Sequence, residues 1–281
     1  MLVLKTCQVS KKNNNMKIAI IGTGNLGKSI AKGLLINNAI TSLFLTKRDL
    51  NDIQEFDGYK NVRLTSDNLE AVKHSDILIF AVQPTHFEQI LIDIEPYLTE
   101  NHILISTVAG FIIPKIEGLV GNDQFIIRAM PNTAIAVGKS MTCLCSNQKG
   151  VKRIKVAQAI FNRLGHTLAI PESQMQAATV VCASGIAFWM RLIRASTQAA
   201  IQLGFDAKEA QELAMYTSEG AANLLITNGL HPEEEIDRVT TPKGCTIEGL
   251  NEMEHKGLSS SLIQGMVASF NKINNIKKEQ I

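Results

Sequence analysis

The stretch Thr240 to Leu250, TTPKGCTIEGL, collects hydroxyls and backbone N–H groups ahead of a helical pattern that opens at Thr246. With Gly244, Cys245 and Thr246 at a helix N-terminus, free N–H groups and the helix dipole suit a carboxylate. Thr241 and Thr246 add hydroxyls. A second reading is purely structural, with Thr246 as an N-cap and Pro242 as a turn former. The residue types leave both open.

At the other end, the apolar run Lys17 to Ile21 leads into Gly22-Thr23-Gly24-Asn25-Leu26-Gly27 and then SIAKGLLINN, which has helical spacing. Strand, GxGxxG and helix in that order suit the pyrophosphate of a dinucleotide, seated on the helix N-terminus. Gly22 permits the tight turn, Gly24 lets the backbone approach the ligand, and Gly27 lets helix and strand pack closely. At the end of the second strand an acid would hold the ribose 2′-hydroxyl of NAD, whereas a basic residue suits the 2′-phosphate of NADP. That position reads Thr46-Lys47-Arg48-Asp49. The basic pair favours NADPH, and Asp49 keeps NADH open.

The elements that must position these residues fall into two halves of a 281-residue chain. Further strand patterns occur at SLFLT (42–46), VRLT (62–65), DILIFAV (76–82), HILIST (102–107) and FIIRAM (125–130). Helical segments lie between most of them, at 68–73, 87–94 and 114–120. Alternation of this kind predicts a doubly wound α/β Rossmann-type parallel sheet with right-handed crossovers over residues 16–170. From Met175 onward no strand pattern recurs, which predicts an all-helical domain over 171–281. Its segments are 175–181 and 186–203, interrupted by Ala183-Ser184-Gly185, then a helix opened by Asp206-Ala-Lys-Glu209 and stopped by Gly229. Helices at 232–239, 246–256 and 260–273 complete it. The segment 186–203 has few polar positions for an outer face, so burial between subunits is expected.

Composition narrows the function further. Apolar residues make up 45% and charged residues 19%, with a net charge of +2 and no block of five like charges. That balance fits a packed globular protein and speaks against nucleic acid or a membrane surface as partner. No apolar run approaches the roughly 18 residues of a membrane span. Five scattered cysteines argue against a disulfide framework and fit a reducing cytoplasm. Cys143 and Cys145 should share one face of a strand in SMTCLCS. The six histidines show no metal spacing. Residues 1–15, MLVLKTCQVSKKNNN, read as a leader or tag without regular structure, because MKIAIIGTG resembles a natural start at Met16.

From Met16 to about Lys272 the chain resembles the pyrroline-5-carboxylate reductase family. The resemblance is carried by IGTGNLGKSIAKGLL, IFAVQP, ISTVAG, IIRAMPNTAIAVGKSMT, ASGIAF and RVTTPKGCTIEGL. It implies a Rossmann domain followed by a helical domain that interlocks with its twin in a homodimer, often assembled further. It implies hydride transfer from NAD(P)H to the C=N carbon of a cyclic imino acid, 1-pyrroline-5-carboxylate, in the last step of proline biosynthesis. The substrate carboxylate falls to the loop N–H groups, including Gly244 and Cys245, and to the Thr241 hydroxyl. The ring nitrogen falls to Thr246, the catalytic contact. On the cofactor side the resemblance places Gly22 to Gly27 at the pyrophosphate and Thr46, Lys47 and Arg48 at the adenosine phosphate. Asn68, Ala81, Val82, Gln83, Pro84, Thr107 and Ala109 fall along the remainder.

The chain departs from the family pattern at several positions. Gln83 stands for a lysine, Ala134 and Ile186 for prolines, Phe188 for a tyrosine, Lys243 for a glycine, and Cys182 and Ala183 for Ser and Gly. Two alternatives remain, a non-catalytic NADP-binding sensor and a related β-hydroxyacid or imine reductase. The β-hydroxyacid enzymes should offer a lysine on the long helix, and none lies between Met175 and Leu203.

Overall fold

The computed structural model describes residues 16–36 and 40–278, in two compact units that divide after Ala183. The expected leader 1–15 and its Cys7 lie outside the described residues. The first unit is built on β1 (Lys17–Ile21), β2 (Ser42–Thr46), β3 (Val62–Thr65), β4 (Ile77–Phe80), β5 (Ile103–Ser106), β6 (Phe125–Met130), β7 (Ser140–Ser146) and β8 (Gly165–Ala169). They form one sheet in the order β3-β2-β1-β4-β5-β6-β7-β8. The chain reverses its direction of growth across the sheet after β3, as in a doubly wound fold. Every neighbouring pair is parallel except β6 and β7.

The central strands are apolar along their whole length because helices cover both faces. Ile18 and Ile20 point into one core with Leu34, Leu43 and Leu45, while Ala19 and Ile21 point into another with Leu78, Phe80 and Phe87. The first-unit helices are α1 (Asn25–Ile36), α2 (Asn68–Lys73), α3 (Pro84–Ile94), α4 (Ile113–Val120), α5 (Ile154–Phe161) and α6 (Met175–Ala178).

Three differences from the sequence reading have physical causes. The strand β8 was not anticipated, because GHTLA is half-buried to exposed along its length and offers no apolar signal. The sheet is not wholly parallel: β7 returns beside β6 through a tight 3-10 turn at Thr133–Val137 rather than a crossover helix. The first unit also extends past residue 170, since Met175 and Ala178 are buried in its second core.

The second unit holds α7 (Gly185–Gln202), α8 (Ala207–Asn228), α9 (Pro232–Val239), α10 (Cys245–His255) and α11 (Leu258–Lys278). The Asp206 carboxylate caps α8 by accepting from the N–H groups of Lys208 and Glu209, and Gly229 ends it in the left-handed region. Ala183-Ser184-Gly185 does not interrupt the helix as the sequence suggested. Thr179–Ser184 is a π-helical turn that runs into α7. The resulting helical stretch, 172–202, is long and apolar enough by length and composition to cross a membrane, which corrects the expectation that no such run exists. Polar residues, Arg191 and Arg194 among them, interrupt the stretch in the sequence. Trp189 and Met190 on α7 are 60% and 57% exposed.

Candidate functional site

The turn after β1 is held by β2. The Gly22 N–H donates to the Thr46 hydroxyl at 3.1 Å, and the Thr23 N–H donates to the Thr46 carbonyl at 2.8 Å. Gly22 has φ +92°, and a Cβ there would lie 2.3 Å from a methyl of Val82. A Cβ on Gly27 would lie 2.4 Å from the Gly22 carbonyl oxygen, so α1 packs onto the turn only because residue 27 is glycine. A Cβ on Gly24, in contrast, would meet nothing within 4 Å. Its backbone faces open space where a ligand can approach closely.

Gly22, Thr23, Gly24, Thr46, Lys47, Arg48, Asn68, Ala81, Val82 and Gln83 line one cleft at the carboxyl ends of the strands. Ser66, His86 and Ile90 line it too and were not anticipated, because β3 and α3 bring them in from neighbouring crossovers. Asn25, Leu26, Gly27, Pro84, Thr107 and Ala109 are not in its lining. Asn25 and Leu26 open α1, and Pro84 opens α3 after the N-cap Gln83. Thr107 is buried, with its hydroxyl donating to the Phe80 carbonyl at 2.8 Å, and Ala109 is exposed.

The residues present fit a dinucleotide. The Thr23 hydroxyl is fully buried in the turn with no hydrogen-bond partner, and buried hydroxyls seldom stay unpaired. At the rim the two basic residues differ. Lys47 pairs with Asp52 at 2.8 Å, and that ammonium holds the Asp52 carboxyl below the usual carboxylate range. Arg48 is exposed and, among the described residues, makes no ion pair or hydrogen bond. The Asp49 carboxylate accepts from the Asn51 N–H at 3.0 Å as an N-cap, through one of its two oxygens.

The motif RAMPNT proves to be a clamp inside the first unit. Arg128 is buried in β6 and donates to Glu172 at 2.8 Å; the same carboxylate oxygen accepts the Ile113 N–H at 2.7 Å. Asn132 caps the turn at Thr133–Val137 and donates to the Cys182 carbonyl at 3.1 Å. These residues tie β6 to the π-helical turn.

In the second unit, Thr241 to Gly244 form a tight turn closed by the Gly244 N–H donating to the Thr241 carbonyl at 2.9 Å. Lys243 sits at φ +60°, the conformation a type II turn requires at its third residue. A Cβ on Gly244 would lie 2.4 Å from the Thr241 hydroxyl oxygen, so a larger residue there would displace that hydroxyl. Gly244 is the N-cap of α10 and offers no side chain. This corrects two expectations. The Gly244 N–H is spent in the turn and is not a free donor; Thr246 is not an N-cap but the second residue of the helix. The free N–H groups are those of the first helical turn, from Cys245 onward. Thr246 is half-buried, Thr241 is exposed, and neither hydroxyl has a hydrogen-bond partner among the described residues. Two hydroxyls beside a helix N-terminus are thus uncommitted among the described residues, which is what carboxylate recognition needs.

No group of His, Cys, Asp and Glu able to hold a metal occurs among the described residues.

A family model described as pyrroline-5-carboxylate reductase dimerisation matches residues 172–276, and one described as NADP oxidoreductase coenzyme F420-dependent matches residues 17–110. The chain is 41% identical to pyrroline-5-carboxylate reductase 2 of Dictyostelium discoideum, over 94% of this chain and 97% of that one. It is 45% identical to pyrroline-5-carboxylate reductase 1 of the same organism over 91% of its length, and spans 49% of that longer relative. The solved structure of Plasmodium falciparum pyrroline carboxylate reductase with NADP bound superposes with a TM-score of 0.82 at 26% identity, covering 94% of this chain and 99% of that one.

Proposed function

The chain belongs to the pyrroline-5-carboxylate reductase family, and we propose that it reduces the C=N bond of 1-pyrroline-5-carboxylate to give L-proline, the last step of proline biosynthesis. NADPH is the preferred donor, supported by the exposed Arg48 at the rim of the first-unit cleft, which makes no ion pair among the described residues. The bound cofactor supplies the hydride.

The protein's own work is binding and orientation. The turn at Gly22 to Gly24 and the α1 N-terminus hold the pyrophosphate, and Arg48 holds the 2′-phosphate. The first-turn N–H groups of α10 and the Thr241 hydroxyl hold the substrate carboxylate. The imine arrives protonated; as the ring carbon gains hydride, the C=N electron pair moves onto nitrogen, and the amine then takes a proton from water. The Thr246 hydroxyl accepts the ring N–H and fixes the ring face. No acid of raised pKa is needed. The carboxyls with resolved shifts, Asp52 and Glu55, are both lowered by lysine neighbours.

The observation that carries this reading is α10 starting at Cys245 on a glycine cap, which leaves the Thr246 hydroxyl unspent. The test is NADPH oxidation with pyrroline-5-carboxylate, compared with pyrroline-2-carboxylate and with no substrate. Turnover confined to pyrroline-5-carboxylate supports it, and none would leave an NADP-binding protein of another kind.

The exposed Trp189 and Met190, within the segment matched by the dimerisation model, support burial against a second copy rather than a lipid bilayer. A homodimer, assembled further or not, is therefore part of the proposal. So is a cytoplasmic location, supported by four free described thiols.

A further inference from the structure

Strand β7 and the π-helical turn lie far apart in sequence, yet they bring two sulfurs together. Sγ of Cys143 is 3.8 Å from Sγ of Cys182. We propose that Cys143 and Cys182 form a reversible dithiol–disulfide couple, a site of oxidative modification by hydroperoxides.

The geometry assigns the roles. Cys143 is buried in the sheet, where no oxidant arrives first. Cys182 is half-buried, beside the exposed Val181. It sits in a π-helical turn, a local widening of the helix. Its carbonyl is held by Asn132 at 3.1 Å, which keeps the turn over β7. A disulfide bond is about 2.05 Å long, so the sulfurs need to close by about 1.8 Å. The pairing also favours a thiolate at Cys182: the Cys143 thiol as donor brings it down to about 7, and the same contact with burial pushes Cys143 up. The remaining thiol on that face, Cys145, is buried and pushed up to about 11, chiefly by that burial. Among the described residues it makes no sulfur–sulfur contact, so it has no partner to close on.

The chemistry balances in two steps. The Cys182 thiolate attacks the outer oxygen of a hydroperoxide, the O–O bond breaks, and the departing alkoxide leaves as an alcohol after taking a proton. The sulfur has lost two electrons to the peroxide and is now a sulfenic acid. The Cys143 sulfur then attacks the Cys182 sulfur, the S–O bond breaks, and hydroxide leaves with the Cys143 proton as water. A small dithiol reverses the change by exchange and is itself oxidised to its disulfide. Cys182 stands where the family pattern has serine, so the couple is a property of this chain.

The test uses the full-length protein, reduced, freed of reductant, treated with hydrogen peroxide, then alkylated under denaturing conditions and mapped by mass spectrometry. The expected result is loss of two free thiols and a Cys143–Cys182 linked peptide that dithiothreitol abolishes, with Cys145 and Cys245 still alkylated. Cys182→Ser should abolish the linkage and leave Cys143 alkylatable. Cys143→Ser should leave Cys182 as a sulfenic acid that dimedone traps. A wild-type Cys182 that goes to sulfinic acid without linkage overturns the proposal. So does linkage through Cys145 or Cys245, or a Cys182 still reduced when the exposed Cys245 is oxidised. None of these readouts depends on reductase turnover.

Discussion

Thr246→Ala separates recognition from folding. Thr246 is the second residue of α10, its hydroxyl has no partner among the described residues, and Gly244 is the cap. Removing the hydroxyl therefore breaks no internal hydrogen bond. Alanine is also the better helix former, by roughly 0.5 kcal/mol, so the melting temperature should hold or rise slightly. In the transition state the hydroxyl touches a ring nitrogen carrying charge, and hydrogen bonds to charged groups contribute about 1.5–3 kcal/mol. The expected loss is thus roughly 10- to 150-fold in kcat/KM, with NADPH binding unchanged. Thr246→Ser, which keeps the hydroxyl, should recover most of the rate. Steady-state kinetics, cofactor titration and thermal melts on the two variants supply the readout. Unchanged kcat/KM in the alanine variant would refute the role of Thr246. A fall in stability of about 1 kcal/mol, the cost of a lost cap, would refute the helix start at Cys245.

Arg48→Ala should weaken NADPH by about 1.5–3 kcal/mol with little effect on NADH, and Lys47→Ala should do less because Lys47 already pairs with Asp52; equal losses of both cofactors in titrations would contradict the assignment. Glu172→Ala strands the buried Arg128 and the Ile113 N–H, so urea unfolding should show a loss of about 3 kcal/mol or more. Arg128→Met combined with Glu172→Leu should regain much of it. Lys243→Gly should leave the unfolding midpoint unchanged or raise stability by at most about 1 kcal/mol, whereas Lys243→Val should lower it, since a β-branched residue tolerates φ +60° worst. The reverse order would mean that residue 243 does not hold a positive φ in solution.

Sequence alone determined the features whose causes are local. A run of β-branched residues, three glycines at fixed spacing and a helical repeat can be read without knowing any neighbour, because the tight turn and the close helix packing are properties of those residues. The basic pair after β2 and the helix signals at Asp206 and Gly229 were legible for the same reason. What tertiary structure decided depends on partners distant in the chain. The Thr46 hydroxyl clamps the Gly22 turn only because β1 and β2 pair in register, Ile21 beside Thr46. Ser66, His86 and Ile90 enter the cleft because parallel strands end on one side of the sheet. Whether Thr246 caps a helix or stands within one was settled one turn earlier, where Lys243 adopts a positive φ and the Gly244 N–H closes on Thr241. Cys143 and Cys182 read as two unrelated thiols; only the fold, by laying the π-helical turn over β7, makes them neighbours.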